Sequence, residues 1–283
     1  MADREAPSAL RWLIGVELAH FRNRAGKKAA DAAKAIDCSP GKISHLESGR
    51  NQQQPAEVTD LLRFYGADLA DIERLASLAG GADRSTWWAP WTDVVPDWLR
   101  TFVGLEGLAS TVSDYATFVV PALLQTSDYS LGATVSSGRV RPDHTERVVG
   151  LRMDRQRRLH SDSDPLQLLA LIEESVLDRP VGGPAVMRRQ LEHLISMSER
   201  DNVEIRVLPT SAGWHDGGVG PFTLLDFAKA QSIGYIEVVN GAVYVQDQDQ
   251  ILGYTRIVTR LREVALSPAD TVTAIRTRLA APT

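Results

Sequence analysis

Apolar residues recur every three or four positions through the first eighty residues, a spacing that predicts short amphipathic helices. The first apolar face is formed by Leu10, Leu13, Ile14, Leu18 and Phe21. After Gly26 a second helical segment, 27–36, carries an apolar face of mostly small residues: Ala29, Ala32, Ala33 and Ile36. Small residues let two helices cross closely, so we expect the next helix to pack tightly against this one.

The next predicted helix is short and has signals at both ends. Ser39 is a suitable N-cap, and Pro40 suits the first helical position, where its missing N–H is not needed. Ile43 and Leu46 lie three apart on the inward face, and Gly49 can adopt the left-handed conformation that ends a helix. The outward faces are polar or small, with Pro40, Gly41, Lys42, Ser44, His45 and Ser48. Asp37-Cys38 is the predicted turn before this helix, because Asp tolerates a left-handed backbone.

Beyond a fifth predicted helix, 69–79, Gly80-Gly81 marks a boundary between residues 1–80 and 81–283. In the second part we predict strands at 166–172, 203–208, 222–227 and 233–239. The predicted helices there are 105–115, 142–160, 184–199, 254–265 and 269–279, with one more beginning at Ser127. The predicted fold is therefore an all-α five-helix helix-turn-helix head followed by a larger α/β (α+β) domain.

Composition limits the class of protein. The chain has 283 residues with 43% hydrophobic and 24% charged, which is typical of a soluble globular protein. The sequence has no apolar run of membrane-spanning length and no signal-peptide core near Met1, so we expect a cytoplasmic protein without membrane contact. Cys38 is the only cysteine, which excludes an internal disulfide and favours a packing role over a redox switch.

Charge is unevenly distributed along the chain. The net charge is −5, yet residues 20–54 contain seven basic and three acidic residues. Residues 81–283 hold 20 basic and 25 acidic residues. A local basic patch is sufficient for contacts with DNA phosphates, and an acidic second domain discourages non-specific binding.

The order of a glycine, a short Ala-rich helix, a tight turn and the pattern Ser39, Ile43, Ser44, Glu47, Gly49 resembles the Xre or lambda-repressor-like family of bacterial regulators. The resemblance covers residues 10–66. It implies a double-stranded DNA operator as partner, and a recognition helix that enters the major groove. The DNA-binding residues expected on this basis are Lys27, Lys28, Ser39, Pro40, Gly41, Lys42, Ser44, His45, Arg50 and Asn51.

The chain departs from the family pattern at three positions. Ala29 replaces a Gln that helps to hold a phosphate, Lys28 replaces a Ser or Thr cap, and Asp37 replaces a turn Gly. The loss of the Gln leaves Lys27 and Lys28 as the expected phosphate contacts, and binding is expected to be weaker or more sensitive to salt than in typical members.

A second resemblance spans nearly all of residues 85–280. The phrases that carry it are Trp87-Trp88, Pro96-Asp97-Trp98-Leu99-Arg100, Val120 to Thr126, Arg179 to Pro184, Val207-Leu208-Pro209 and Gly220-Pro221-Phe222-Thr223. They resemble the uncharacterised C-terminal domain found behind Xre-type heads in actinobacterial regulators, some of which are called antitoxin-like. The resemblance implies a regulatory domain without a settled ligand.

Two interpretations of the Trp-rich stretch 85–99 remain open. One is packing of an ordered segment on a domain surface; the other is an aromatic ligand site lined by Trp87, Trp88, Trp98, Trp214 and His215. His215-Asp216 in a glycine-rich loop is a weak catalytic signal, because neighbouring side chains point apart on an extended chain. The sequence has no His-x-x-x-His or Cys-x-x-Cys spacing and no nucleophile or phosphate-loop motif. We therefore expect a protein that is not an enzyme and that binds no metal or cofactor.

These observations predict a sequence-specific DNA-binding transcriptional regulator. Because one head contacts only one half-site, we expect a homodimer. The large second domain is expected to gate DNA binding through a small protein from a neighbouring gene or a small-molecule effector. The alternative is an antitoxin-like protein-interaction module with a weakened DNA-binding head.

Overall fold

The structure is a computed structural model that describes residues 9–79, 91, 93–95, 97–239 and 241–280. The chain divides into two compact units, one of residues 1–108 with 226–232 and the other of 109–225 with 233–283.

The first unit begins with five helices around a single core. They are α1 Ala9–Arg24, α2 Ala29–Ala35, α3 Pro40–Glu47, α4 Pro55–Tyr65 and α5 Leu69–Ala79. Fully buried residues from four of them meet in the centre: Ile14, Leu18, Ile43, Leu46, Leu61, Leu62 and Leu75. A sixth helix, α6, covers Asp97–Leu108. The predicted five-helix head is confirmed.

The chain forms one mixed sheet, most of which lies in the second unit. Its strands are β1 Thr111–Ala116, β2 Gln167–Glu173, β3 Val203–Leu208, β4 Phe222–Phe227, β5 Ala230–Val238 and β6 Gly241–Val245, in the spatial order β3-β2-β1-β4-β5-β6. β1, β2 and β3 are parallel, and β5 and β6 are antiparallel. The helices are α7 Ser127–Val135, α8 Thr145–Arg155, α9 Glu174–Leu177, α10 Pro184–Met197, α11 Gln248–Val264 and α12 Pro268–Ala280. The predicted α+β class is confirmed.

Helix α11 covers one part of the sheet. Leu261 of α11 belongs to the same buried cluster as Tyr115, Leu171 and Phe222 of three neighbouring strands. At the β3 edge, the Val207 N–H donates to the Thr271 hydroxyl (3.1 Å), and the Leu266 N–H donates to the Val207 carbonyl (2.8 Å). These bonds satisfy backbone groups of an edge strand that no further strand pairs.

The sequence prediction was wrong at two strands and too long at one helix. Residues 105–115 are not one helix, because α6 ends at Leu108 and β1 begins at Thr111. The short strand β6 was not predicted at all. The polar helix 142–160 is an α-helix only over Thr145–Arg155, with 3-10 turns on both sides.

Candidate nucleic-acid interface

Helix α3 is capped as its sequence predicts. The Ser39 hydroxyl accepts a hydrogen bond from the Lys42 N–H (3.2 Å), and Pro40 occupies the first turn. Ile43 and Leu46 are buried, while Ser44 and His45 are exposed. Ser39, Pro40 and Gly41 are exposed as well. The helix therefore presents a sterically open N-terminal end and a polar face at Ser44 and His45 to solvent.

The turn between α2 and α3 brings the two helices together. Asp37 has a φ of 49°, the left-handed conformation that its side chain tolerates. The Cys38 N–H then donates to the Ala33 carbonyl (2.8 Å), which ties the turn to the end of α2. Cys38 is half-buried against the core of the head, and burial raises the pKa of its thiol.

Close approach of α1 fixes the far end of α3. A Cβ on Gly15 would lie 2.8 Å from the Leu46 carbonyl oxygen, so α1 can cross α3 here only without a side chain. Gly49 has a φ of 70°, and a Cβ at this position would lie 2.7 Å from the Trp12 backbone nitrogen. Both glycines are required because a Cβ at either position would collide with the neighbouring backbone, not because the chain must be flexible there.

Glu47 at the end of α3 is held by Arg22 of α1. Arg22 donates from Nε and Nη2 to the two carboxylate oxygens of Glu47 (2.6 and 2.9 Å) and from Nη1 to the Lys27 carbonyl (3.0 Å). Hydrogen bonding to Glu47 raises the pKa of Arg22, against the opposing effect of burial. This bidentate pair has a structural role: it fixes the orientation of α3 and removes Arg22 from the set of free phosphate contacts.

The structure pairs Lys42, the predicted base-contacting residue, with a neighbour that sequence analysis missed. The Lys42 ammonium donates to the Glu57 carboxylate in the first turn of α4. Hydrogen bonding to Glu57 raises the pKa of Lys42. The only sequence signal for Glu57 is its place three residues after Gln54, where a carboxylate accepts from the helix-start N–H (3.5 Å).

The other predicted phosphate contacts lie at the surface. Lys27, Lys28 and Arg50 are exposed, and Lys27 Nζ lies 5.3 Å from the centre of the Phe64 ring. Asn51 is half-buried, and its backbone N–H donates to the His45 carbonyl (3.2 Å). The Lys28 N–H donates to the Asp31 carboxylate (3.0 Å), so a side chain within α2 satisfies this helix start.

In the second unit, polar side chains meet at the carboxyl ends of the parallel strands. The Tyr115 hydroxyl donates to Glu173 Oε1 (2.6 Å), and His215 Nε2 lies 3.3 Å from the same oxygen. The Gly217 N–H donates to His215 Nδ1 (3.2 Å), which orients the imidazole. Burial and the bond to Glu173 raise the pKa of Tyr115. Sequence analysis missed Tyr115 and Glu173, because only the parallel pairing of β1 with β2 brings them together.

The residues of the predicted aromatic site have different placements. Trp87 and Trp88 lie outside the described residues, as does the side chain of Trp98. Trp214 is 86% exposed, while the neighbouring His215 points inward to Glu173. Asp216 instead pairs with Arg260 (3.2 Å), so the adjacent His and Asp side chains point to different partners.

The residues that the structure describes contain no cluster of three or more His, Cys, Asp or Glu residues arranged to hold a metal ion. Within the same residues, no helix is both long and apolar enough to cross a membrane.

Comparison with protein families found two matches. Residues 13–75 match a helix-turn-helix domain, and residues 99–277 match the family described as a domain of unknown function, DUF5753. No curated protein and no solved structure matches the chain. A helix-turn-helix domain is a DNA-binding module, which makes the head the nucleic-acid-binding part of the chain. Because the second match spans more than half of the sequence, the chain belongs to the DUF5753 family and carries a helix-turn-helix domain before it.

Proposed function

We propose that this protein is a sequence-specific transcriptional regulator of the Xre type, which binds an operator through α3. The observation that carries the proposal is the polar outward face of α3 and its N-cap, which is exposed at Ser39, Ser44 and His45 within a head of local positive charge. A helix of this kind fits the major groove, where side chains near its N-terminus contact base edges.

Each residue at this surface has a proposed role. Ser39, Pro40 and Gly41 approach the base edges, and Lys42 donates to guanine O6 or N7 after its exchange from Glu57. Ser44 and His45 contact bases or the adjacent backbone. The proposed phosphate contacts, which position the head without determining sequence preference, are Lys27, Lys28, Arg50 and Asn51.

The test is selection of an operator from a random DNA library, followed by fluorescence anisotropy titration. Lys42→Ala should cost about 1–3 kcal/mol on the selected sequence and little on a scrambled one. Arg63→Ala is the matched control, because Arg63 is an exposed basic residue of α4 outside the proposed surface. Equal affinity of wild type for the selected and the scrambled sequences would overturn the proposal.

The proposed active form is a cytoplasmic homodimer. Two heads related by two-fold symmetry would contact half-sites about one DNA turn apart. Sedimentation at micromolar concentration, with and without operator, tests this part. A monomer in both conditions would contradict it.

The second domain is proposed to receive a signal, from a small protein encoded nearby or a small-molecule effector. Either signal acts only if it binds the DNA-competent and DNA-incompetent states unequally. Operator titration with and without the neighbouring gene product and host metabolite extract tests gating. Unchanged operator affinity in both would contradict it.

A second candidate function is an antitoxin-like interaction module whose head binds DNA weakly. The engagement of Lys42 by Glu57 favours it, as does Ala29 at the position of the family's phosphate-holding Gln. Failure of the library selection, together with recovery of a protein partner by the second domain, would favour this alternative over the first.

A further inference from the structure

Arg152 of α8 is inserted against α7, where it contacts only uncharged groups. Its Nη1 donates to the Thr134 hydroxyl (2.8 Å), the Ser130 hydroxyl (3.2 Å) and the Ser130 carbonyl (3.4 Å). Ser130 and Thr134 are buried. These neutral oxygens hold one edge of the guanidinium in place, but they do not neutralise its charge.

No carboxylate among the described residues lies within ion-pair distance of Arg152. By contrast, the similarly shielded Arg22 and Arg278 are each paired with carboxylates. The acidic residue whose field reaches Arg152 is Glu237, and that carboxylate accepts from Arg139 (2.7 Å). Partial burial of a cation without an anion is costly, because it removes part of the surrounding water without supplying an opposite charge.

Further positive charge surrounds this point. Burial and the nearby positive charge of Arg155 together lower the pKa of Arg152 to about 10, against the opposing effect of Glu237. Arg139 also approaches the same side of the sheet, through its bonds to Glu237 and the Val238 carbonyl. Arg139, Arg155 and the carboxylate of Glu237 therefore lie near Arg152, between α7, α8 and the end of β5.

We propose that Arg152 anchors an oxyanion-binding site, which takes the carboxylate or phosphate group of a small acidic ligand. Its Nε and Nη2 atoms have no acceptor among the described residues, and these two donors form the planar fork that binds such groups bidentately. Thr134 and Ser130 fix the orientation of the fork. The site lies wholly in the second unit, so it does not depend on the proposed DNA contacts. Under the proposed function, a ligand bound there is the small-molecule effector that gates DNA binding.

The test uses the full chain with two simple probes, inorganic phosphate and succinate, at constant ionic strength maintained with KCl. Either probe should raise the thermal unfolding temperature of wild type in proportion to the logarithm of its concentration. Arg152→Met should lose at least tenfold in affinity, measured by calorimetric titration. Arg157→Met is the matched control, because Arg157 is 80% exposed and pairs with Asp154.

The outcomes distinguish a phosphorylated ligand from a carboxylic acid, and both from the absence of a site. Stabilisation by phosphate alone identifies a phosphorylated ligand, and stabilisation by succinate alone identifies a carboxylic acid. No stabilisation by either probe, or equal stabilisation of wild type and Arg152→Met, overturns the proposal.

A second variant keeps the test valid if Arg152→Met fails to fold. Thr134→Val preserves the volume and the arginine but removes the hydroxyl that orients it, so affinity for the effective probe should fall several-fold. Wild-type affinity in Thr134→Val would then contradict the site.

Discussion

The ammonium group of Lys42 in α3 donates a hydrogen bond to the carboxylate of Glu57 in α4. The exposed fractions of the two side chains are 40% and 24%, so solvent reaches both groups and a DNA phosphate can compete with Glu57 for the ammonium. Lys42 must exchange this partner before it can donate to a base. Glu57 therefore sets both the availability of Lys42 and the local charge that an approaching DNA backbone meets.

Glu57→Gln should increase operator affinity about 1.4- to 5-fold. The reason is that an exposed ion pair of this kind contributes about 0.2–1 kcal/mol, which the binding reaction no longer has to overcome. Removal of one negative charge near phosphates should add to the gain at low salt. Fluorescence anisotropy at several salt concentrations measures both effects.

The control for this variant is Asp60→Asn, which removes a carboxylate from the exposed side of the same helix. It should leave operator affinity nearly unchanged. An identical gain in the two variants would mean that net charge alone, rather than release of Lys42, determines the effect.

Local signals made the head predictable from sequence. The cap at Ser39, the left-handed Asp37 and the helix end at Gly49 each depend on a few adjacent residues. The pairs that determine the surface chemistry were not predictable in this way. Lys42 and Glu57 lie on different helices, and the contact depends on how α3 and α4 pack.

The second unit shows the same limit more strongly. The segment 105–115 has apolar spacing that suits a helix, yet Thr111–Ala116 joins the sheet through its register with β2, as in the pair Tyr115 and Leu171. Pairing with a strand more than fifty residues away overrides the local pattern. The contacts of Tyr115 with Glu173 and of Glu173 with His215 follow from that pairing.

Replacement of Gly49 by Ala should cost more stability than replacement of Gly66 by Ala. Both glycines have a positive φ, but a Cβ at Gly66 would meet no atom within 4 Å, and one at Gly49 would meet the Trp12 backbone. The shared strain is about 1–2 kcal/mol, and overpacking at Gly49 should add about 1–3 kcal/mol. Urea denaturation measures the difference. Equal losses of stability would show that α1 shifts to make room for the added Cβ at Gly49 without further destabilisation.

Arg22 and Glu47 should be strongly coupled in their contributions to the free energy of unfolding of the head. Arg22→Met should lower the free energy of unfolding by about 1–3 kcal/mol, because it leaves a largely shielded carboxylate without its two donors. The double variant Arg22→Met with Glu47→Leu should recover part of this loss. A double-mutant cycle by urea denaturation gives the coupling, and simple additivity of the two losses would argue against it.

Lys28 should contribute to binding without contributing to sequence preference. Lys28→Gln should weaken binding to the selected and the scrambled DNA alike and reduce the slope of log affinity against log salt by about one. Lys34→Gln is the control, because Lys34 is exposed on the same helix but outside the proposed contacts. A selective loss on the operator would instead assign Lys28 to a base contact.

His193 should make the second unit less stable as the solution becomes acidic. Burial lowers the pKa of His193 below its ordinary value of 6.5, and the nearby His160 acts in the same direction. Its Nε2 atom is buried without a hydrogen-bond partner among the described residues, so the folded protein disfavours the protonated form. The unfolded chain therefore binds the proton first as the pH falls. The stability due to the neutral imidazole is fully present above about pH 6.5 and is lost as the pH falls towards the folded pKa.

In His193→Gln this contribution is absent at every pH. The free energy of unfolding of wild type minus that of the variant should thus be constant above pH 7 and decrease between pH 6.5 and 5, measured by urea denaturation with both proteins in the same buffers. Carboxylates titrate in both proteins and cancel in the difference. Parallel pH profiles would show that His193 is hydrated in the folded protein.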